Sequence, residues 1–146
     1  MNVKVIFYDL ETTGLKPLAA IQICEIGAVF EDQEFHQFLI PKCRIQSGAT
    51  NVHGITKSGE KLFLNGTVIT NAMNPEEGLK SFIDFLKGIV VTGTKNEECI
   101  LVAHNGARYD HTVLKNNLKR YSIPLPSFVC FADSMMLMKD YKRKYY

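Results

Sequence analysis

The 146-residue sequence has no tryptophan and only five prolines. No apolar run approaches the roughly 20 residues that a membrane span needs, so no membrane partner is expected. The formal net charge is only +2, so charge alone does not call for a polyanionic partner. With 46% hydrophobic residues, the composition also argues against a disordered chain. Cys24, Cys43, Cys99 and Cys130 are widely spaced and form no Cys-x-x-Cys pair. That argues against a zinc or disulfide framework and for a reducing compartment. No signal-peptide cleavage site precedes the strand-like run after Met1-Asn2, so an intracellular location, cytoplasmic or nuclear, is expected. There is no internal repeat, low-complexity tract or linker, and the length fits one globular domain over residues 1–146.

Strand-forming sequence is present from the start. Residues 3–10 (VKVIFYDL) are β-branched and aromatic, which suits a buried strand, and Gly14 and Pro17 break the run. Residues 21–31 and 34–40 read as two more strands about a polar turn at Asp32-Gln33, which predicts an antiparallel meander. Residues 41–74 read as loop with room for short helical turns, and carry Gly48, Gly54, Gly59 and Gly66. Within them, Asn65-Gly66-Thr67 matches a glycosylation sequon that a chain without a secretion signal is not expected to use. Asn74-Pro75-Glu76-Glu77 combines a polar cap, a first-turn proline and acids at the positive end of the helix dipole. Leu79, Phe82, Ile83, Phe85 and Leu86 follow at near-helical spacing. Residues 99–103 (CILVA) are expected as a strand covered on both faces. A helix over 109–120, a fifth strand over 127–132 and a helix over 135–146 complete the order β-β-β-α-β-α-β-α. The predicted class is α/β: a mixed five-stranded sheet, three antiparallel strands followed by parallel ones, with flanking helices.

Asp9 and Glu11 are two apart on a predicted strand, so both side chains leave one face. Like charges this close raise each other's pKa unless a cation neutralises them. Hard divalent ions such as Mg²⁺ or Mn²⁺ take carboxylate oxygens by preference. The competing reading is a strand that has already ended, leaving both acids solvated. A second group, Ala103-His104-Asn105-Gly106-Ala107-Arg108-Tyr109-Asp110, sits where a buried strand turns into a helix. Strand carboxyl ends are favoured ligand sites in open α/β sheets. Asp110 falls in the first helical turn, where the dipole stabilises a carboxylate, and a plain helix-start acid is its alternative reading. Together, three carboxylates on neighbouring strand ends could build a two-metal cluster for phosphodiester cleavage.

These residues also carry a family resemblance. Phe7-Tyr8-Asp9-Leu10-Glu11-Thr12-Thr13-Gly14-Leu15 resembles the first motif of the DEDD (DnaQ-like) superfamily of 3′→5′ exonucleases. Residues 101–110 (LVAHNGARYD) resemble its second motif, in wording similar to the three-prime repair exonucleases of the histidine branch. Asn51-Val52-His53-Gly54-Ile55-Thr56 is similar to a segment near the substrate in DnaQ-like members. The resemblance spans essentially the whole chain and implies a ribonuclease H-like fold. It further implies that Asp9, Glu11 and Asp110 are the catalytic, metal-binding residues, holding two ions of Mg²⁺ or Mn²⁺. Thr12, Thr13 and Leu15 would contact the 3′-terminal nucleotide, Leu15 as an apolar wedge. His53 would approach the substrate, and Asn105 would orient the strand end or a phosphate. The implied substrates are single-stranded or frayed DNA or RNA 3′ ends. The three-prime repair enzymes dimerise through a sheet edge; no residue signature transfers that contact here, so a homodimer stays open.

The family's third motif, a histidine or tyrosine general base shortly before a fourth metal-binding Asp, has no counterpart in this sequence. The exonuclease domain is therefore expected to be incomplete at its C-terminal side. His111 lies inside the helix that carries Asp110, and Asp133 resembles a structural Asp of the family. His36 is expected at the surface, and His104 in a structural hydrogen bond. Lys115, Lys119 and Arg120 share a helix and could meet phosphate, although a solvated face is the usual explanation. Two function classes follow. One is a metal-dependent 3′→5′ exonuclease that releases nucleoside monophosphates. The other is a catalytically silent copy that binds nucleic acid or a protein partner.

Overall fold

Alternation along the first strand sets the architecture. In a computed structural model, which describes residues 2–90 and 97–145, β1 (Asn2–Thr12) sends Ile6, Tyr8 and Leu10 into the core. The meander continues as β2 (Ile23–Phe30) and β3 (Gln33–Phe38), both antiparallel. After α1 (Ser47–His53), the short strands β4 (Ile55–Ser58), β5 (Lys61–Leu64) and β6 (Thr67–Val68) follow. Helix α2 (Pro75–Ile89), β7 (Glu97–Ala103), α3 (Asp110–Arg120), β8 (Val129–Asp133) and α4 (Ser134–Tyr145) complete the chain. The main sheet has the order β3-β2-β1-β7-β8, with β7 parallel to both β1 and β8. This is the ribonuclease H-like fold. Among the described residues, no helix is long and apolar enough to cross a membrane.

Local chemistry explains the helices. The Asn74 side chain accepts the Glu76 N–H at 2.9 Å, Pro75 fills the first turn, and Lys80 pairs with Glu76 at 3.1 Å. The apolar stripe Leu79, Phe82, Ile83 and Leu86 of α2 then packs on the sheet together with Val113, Leu114 and Leu118 of α3. Phe82 is fully buried, with its ring centroid 5.4 Å from that of Phe35 and 6.3 Å from that of Tyr8.

Two expectations need correction. Residues 41–74 are more than loop: they hold α1 and the three-stranded sheet β4-β5-β6. The strands are only four, four and two residues long, too short for periodicity to show. Their turn chemistry does show. Asn65 (φ 50°) and Gly66 (φ 85°) form the two-residue connection between Leu64 and Thr67, as a type I′ hairpin requires. This unit closes a second small core of Cys24, Phe38, Ile45, Ile55 and Leu62. The second correction concerns burial. Helices α2 and α3 cover one sheet face, while Val3, Val5, Phe7 and Val29 on the other are 40–59% exposed. Strand β1 is therefore one-sided over most of its length, with Val3, Val5, Phe7 and Asp9 exposed. The final helix is seen over Ser134–Tyr145, and Tyr146 lies outside the described residues.

Replacing Phe82 with alanine is expected to cost about 3–5 kcal/mol, because it opens a cavity among rings that cannot fully collapse. Urea unfolding of the Phe82→Ala protein measures this as a drop in midpoint with unchanged m.

Candidate active site

The odd-numbered residues of β1 that lie on the uncovered face end in Asp9 and Glu11. Asp9 is exposed and sits opposite Gly27 of β2, a residue with no side chain to obstruct it. Glu11 is half-buried opposite Glu25, a further carboxylate that sequence reasoning did not single out. Glu25 is engaged by His36 at 3.1 Å on the surface.

Asp110 begins α3 and is 94% buried. The register between β1 and β7 runs only as far as Phe7 and Val102. Beyond it, the Leu10 N–H donates to Asp110 Oδ2 at 3.3 Å. The helix start is thus brought to the backbone between Asp9 and Glu11. Burial, and then the charge of Asp9, push the Asp110 carboxyl up to about 6. The same two causes raise Glu11, with His53 acting the other way and Glu25 adding to the rise. Among the described residues, no Lys or Arg forms an ion pair with Asp9, Glu11 or Asp110. The donor set is all hard oxygen and carries uncompensated negative charge, which fits a divalent cation in kind and in charge. It is not a closed cage: among the described residues, no three acidic, histidine or cysteine side chains are gathered round one point.

Beside the carboxylates lies a slot of about 380 Å³, walled by Leu10, Glu11, Leu15, Val52, His53 and Tyr109. Leu15 (74% exposed) and Val52 (84% exposed) project at its lip. Thr12 also lines it, while Thr13 is buried outside it. The Tyr109 hydroxyl lies 2.5 Å from both Thr12 Oγ1 and the Gly14 carbonyl. Thr13 Oγ1 accepts the Gln22 N–H, and the Thr13 N–H donates to the Gln22 carbonyl. These hydroxyls therefore hold the turn together. His53 does similar work: its Nδ1 accepts the Ile55 N–H at 3.0 Å and its Nε2–H donates to the Thr12 carbonyl at 2.8 Å.

Asn105 takes a left-handed φ of 57° just past β7, a conformation asparagine tolerates. Its N–H donates to Asp133, and its buried Oδ1 has no hydrogen-bond partner among the described residues. Asp133 gathers four backbone N–H groups, from Asn105, Ala107, Met135 and Met136. Burial works against its charge, but these bonds outweigh burial and hold the carboxyl below the usual range. Asp133 therefore clamps the 104–107 turn to the start of α4. His104 is exposed and meets the Ser134 hydroxyl at 3.2 Å. Lys115 lies over the Phe131 ring at 4.5 Å, and Arg120 donates to the Ala19 carbonyl, so both serve packing.

The sequence reading missed His111 and Tyr8 as a pair. The buried His111 accepts the Tyr8 O–H on Nδ1 at 2.6 Å and donates from Nε2 to the Ala132 carbonyl at 2.9 Å. One imidazole thus ties β1, α3 and β8 together directly behind the carboxylates. Burial holds its pKa down, and burial, then Asp110 and Asp9, hold the Tyr8 hydroxyl well above its ordinary range. Gly106 is a structural requirement here, because a Cβ at that position would strike the His111 ring and Ala103.

Two outcomes follow. Tyr8→Phe leaves His111 Nδ1 buried without its donor and is expected to cost about 1–3 kcal/mol, read from the denaturant midpoint. Asp110 behaves differently because its folded pKa lies above its unfolded value of 3.8. Ionised Asp110 therefore burdens the metal-free fold above about pH 6, and the burden lifts as pH falls toward 4. Asp110→Asn is expected to raise the melting temperature of metal-free protein at pH 7.5, and the gain should shrink below pH 6, as a pH series of thermal melts will show.

The exonuclease family model RNase_T matches residues 6–146 of the chain. DNA polymerase III subunit epsilon of Buchnera aphidicola is 28% identical over 149 residues, covering 94% of this chain and 54% of that protein. Among solved structures, the zinc-bound E. coli exonuclease I–ssDNA complex superposes with TM-score 0.70 at 16% identity, covering 96% of this chain and 30% of that one. E. coli exonuclease I with a dT13 oligonucleotide gives TM-score 0.70 at 16% identity, over 95% and 29% of the two chains. The chain thus spans about half the length of the epsilon subunit and under a third of the exonuclease I chains. At this identity the superpositions speak for the fold, and the family model for the lineage: the chain belongs to the RNase_T exonuclease family, within the DEDD superfamily of 3′→5′ exonucleases.

Proposed function

We propose that this chain is a metal-dependent 3′→5′ exonuclease domain that releases nucleoside monophosphates from single-stranded or frayed DNA or RNA ends. The observation that carries the reading is the Leu10 N–H bond to Asp110, which brings the start of α3 to the backbone between Asp9 and Glu11, with no Lys or Arg among the described residues paired to any of the three acids. Asp9, Glu11 and Asp110 would hold two ions, Mg²⁺ or Mn²⁺. Such ions supply an activated water and charge stabilisation at the departing 3′ oxygen. The protein's own residues supply position. Leu15 and Val52 offer apolar contact to the terminal base, and Tyr109 with His53 keeps the 12–14 turn beside them. Asn105 would accept from the strand end through its Oδ1, which has no partner among the described residues. The epsilon subunit and the ssDNA complexes of exonuclease I support the substrate class by analogy.

A second reading is favoured by one observation, the absence of a gathered cage among the described residues. On that reading the chain binds nucleic acid without cutting it. A 3′-labelled oligonucleotide incubated with Mg²⁺ or Mn²⁺ separates the two. The expected result is metal-dependent release of mononucleotides, reduced at least about 100-fold by Asp9→Ala. Losing a metal ligand should exceed the 10–100-fold cost typical of losing a group that only hydrogen-bonds a ligand. Binding that needs no metal, with no cleavage, would establish the silent reading instead. Because a proton on Asp110 competes with the metal, the apparent affinity for Mn²⁺ should weaken as pH drops below about 6, while cleavage at saturating Mn²⁺ should hold to lower pH.

A further inference from the structure

A second cavity lies away from the carboxylates. It is an open groove of about 740 Å³ on the other side of α1, and Lys42, Arg44 and Lys57 line it together with Ser47 and Asn51. Lys42 and Arg44 are exposed, and Lys57 is half-buried. None of the three forms an ion pair among the described residues, and Glu60 is the one carboxylate in the lining. The cations are held in place by their backbone. Ile45 is buried in the small second core, which leaves its neighbour Arg44 on the outside. The Lys42 N–H donates to Gln22 Oε1 at 2.7 Å, and the Gln46 N–H donates to the Thr13 carbonyl at 2.8 Å. The basic segment is therefore fastened to the same turn that borders the carboxylates.

Helix α1 is the wall between two unlike sites. Ala49, Val52 and His53 face the apolar slot, while Ser47, Thr50 and Asn51 face the basic groove. An apolar slot for a base next to a cationic groove for a backbone is the combination that holds single strands without regard to sequence. A small-molecule pocket would be more enclosed and more apolar. Arginine adds a planar fork that matches phosphate oxygens.

We infer that this groove is a phosphodiester-backbone subsite. Resting on the exonuclease reading, it grips the strand upstream of the nucleotide held in the slot. The groove makes substrate length, rather than sequence, the quantity the protein senses. It also separates the grip on the strand from the chemistry at its end.

The test compares wild type with the Lys42→Ala/Arg44→Ala double variant, using fluorescence anisotropy of labelled dT12 in EDTA. At about 50 mM salt the double variant should bind dT12 at least about tenfold more weakly. Its salt dependence should flatten by about 1.4 in log–log slope, roughly 0.7 for each lost single-strand contact. Hydrolysis of dT3 with Mn²⁺ should change less than about twofold. On wild type, bound dT12 should slow acetylation of Lys42 and Lys57, and dT3 should not; this arm needs no variant to fold. Unchanged dT12 affinity and slope, absent lysine protection, or equal competition by polyglutamate would each overturn the inference. Failure of the exonuclease reading is distinguishable, since it would appear as missing metal-dependent cleavage while dT12 binding still depends on Lys42 and Arg44.

Discussion

One hydrogen bond joins the two halves of the site. The Leu10 amide lies past the end of the β1–β7 ladder, and the Asp110 carboxylate, one hundred residues later in sequence, takes it. A buried N–H without an acceptor would be costly, so the backbone itself demands a group there. That the acceptor is a carboxylate decides the electrostatics. A neutral acceptor would satisfy Leu10 equally well and would leave Asp9 and Glu11 as an ordinary surface pair. Instead, Asp110 at the start of α3 is set beside the two acids of β1, and burial together with mutual repulsion lifts Glu11 and Asp110. The fold carries this unfavourable arrangement because the opposite sheet face supplies a continuous core through Phe82, Leu114 and Leu118.

Behind the acids, rigidity comes from polar groups with every valence used. His111 spends one ring nitrogen on Tyr8 and the other on Ala132, and Gly106 gives the imidazole room. Asp133 collects four amides and so fixes both the turn leading to Asp110 and the start of α4. Neither residue reaches toward a substrate. Each determines where a residue that could do so stands, which is the work that supporting groups do around a preorganised site.

Much of this could be read from the sequence, for definite reasons. The meander, the capped α2 and the strand-to-helix turn before Asp110 rest on local signals, namely alternation, an Asn-Pro-Glu-Glu start and an apolar run. The pairing of Asp9 with Glu11 follows from a two-residue period. What stayed hidden depends on long-range contact. Short strands in 55–68 leave no period, and only Asn65-Gly66 announced a hairpin. The Tyr8–His111 bond spans 103 residues and has no local mark. The bare face of β1 was misread because strand-forming composition is the same whether one face or both are covered. His53, expected near the substrate, lines the slot, and no local signal announced that its ring nitrogens also bond Ile55 and Thr12.

The role of α1 follows from its length. Seven residues are too few to hold a helix in water by their own propensity. The helix persists because of what it is tied to: the Gln46 amide to Thr13, the Thr50 hydroxyl to the Ile55 carbonyl, and His53 to Thr12. Two of these three ties end on the turn that follows Glu11. A helix held in this way cannot shift without moving that turn, and the turn cannot shift without moving the carboxylate beside it. The slot and the groove therefore share one wall, α1, and that wall is anchored to the turn beside Glu11. The ties are hydrogen bonds of 2.7–2.8 Å, and they fix where both walls of α1 stand relative to Glu11.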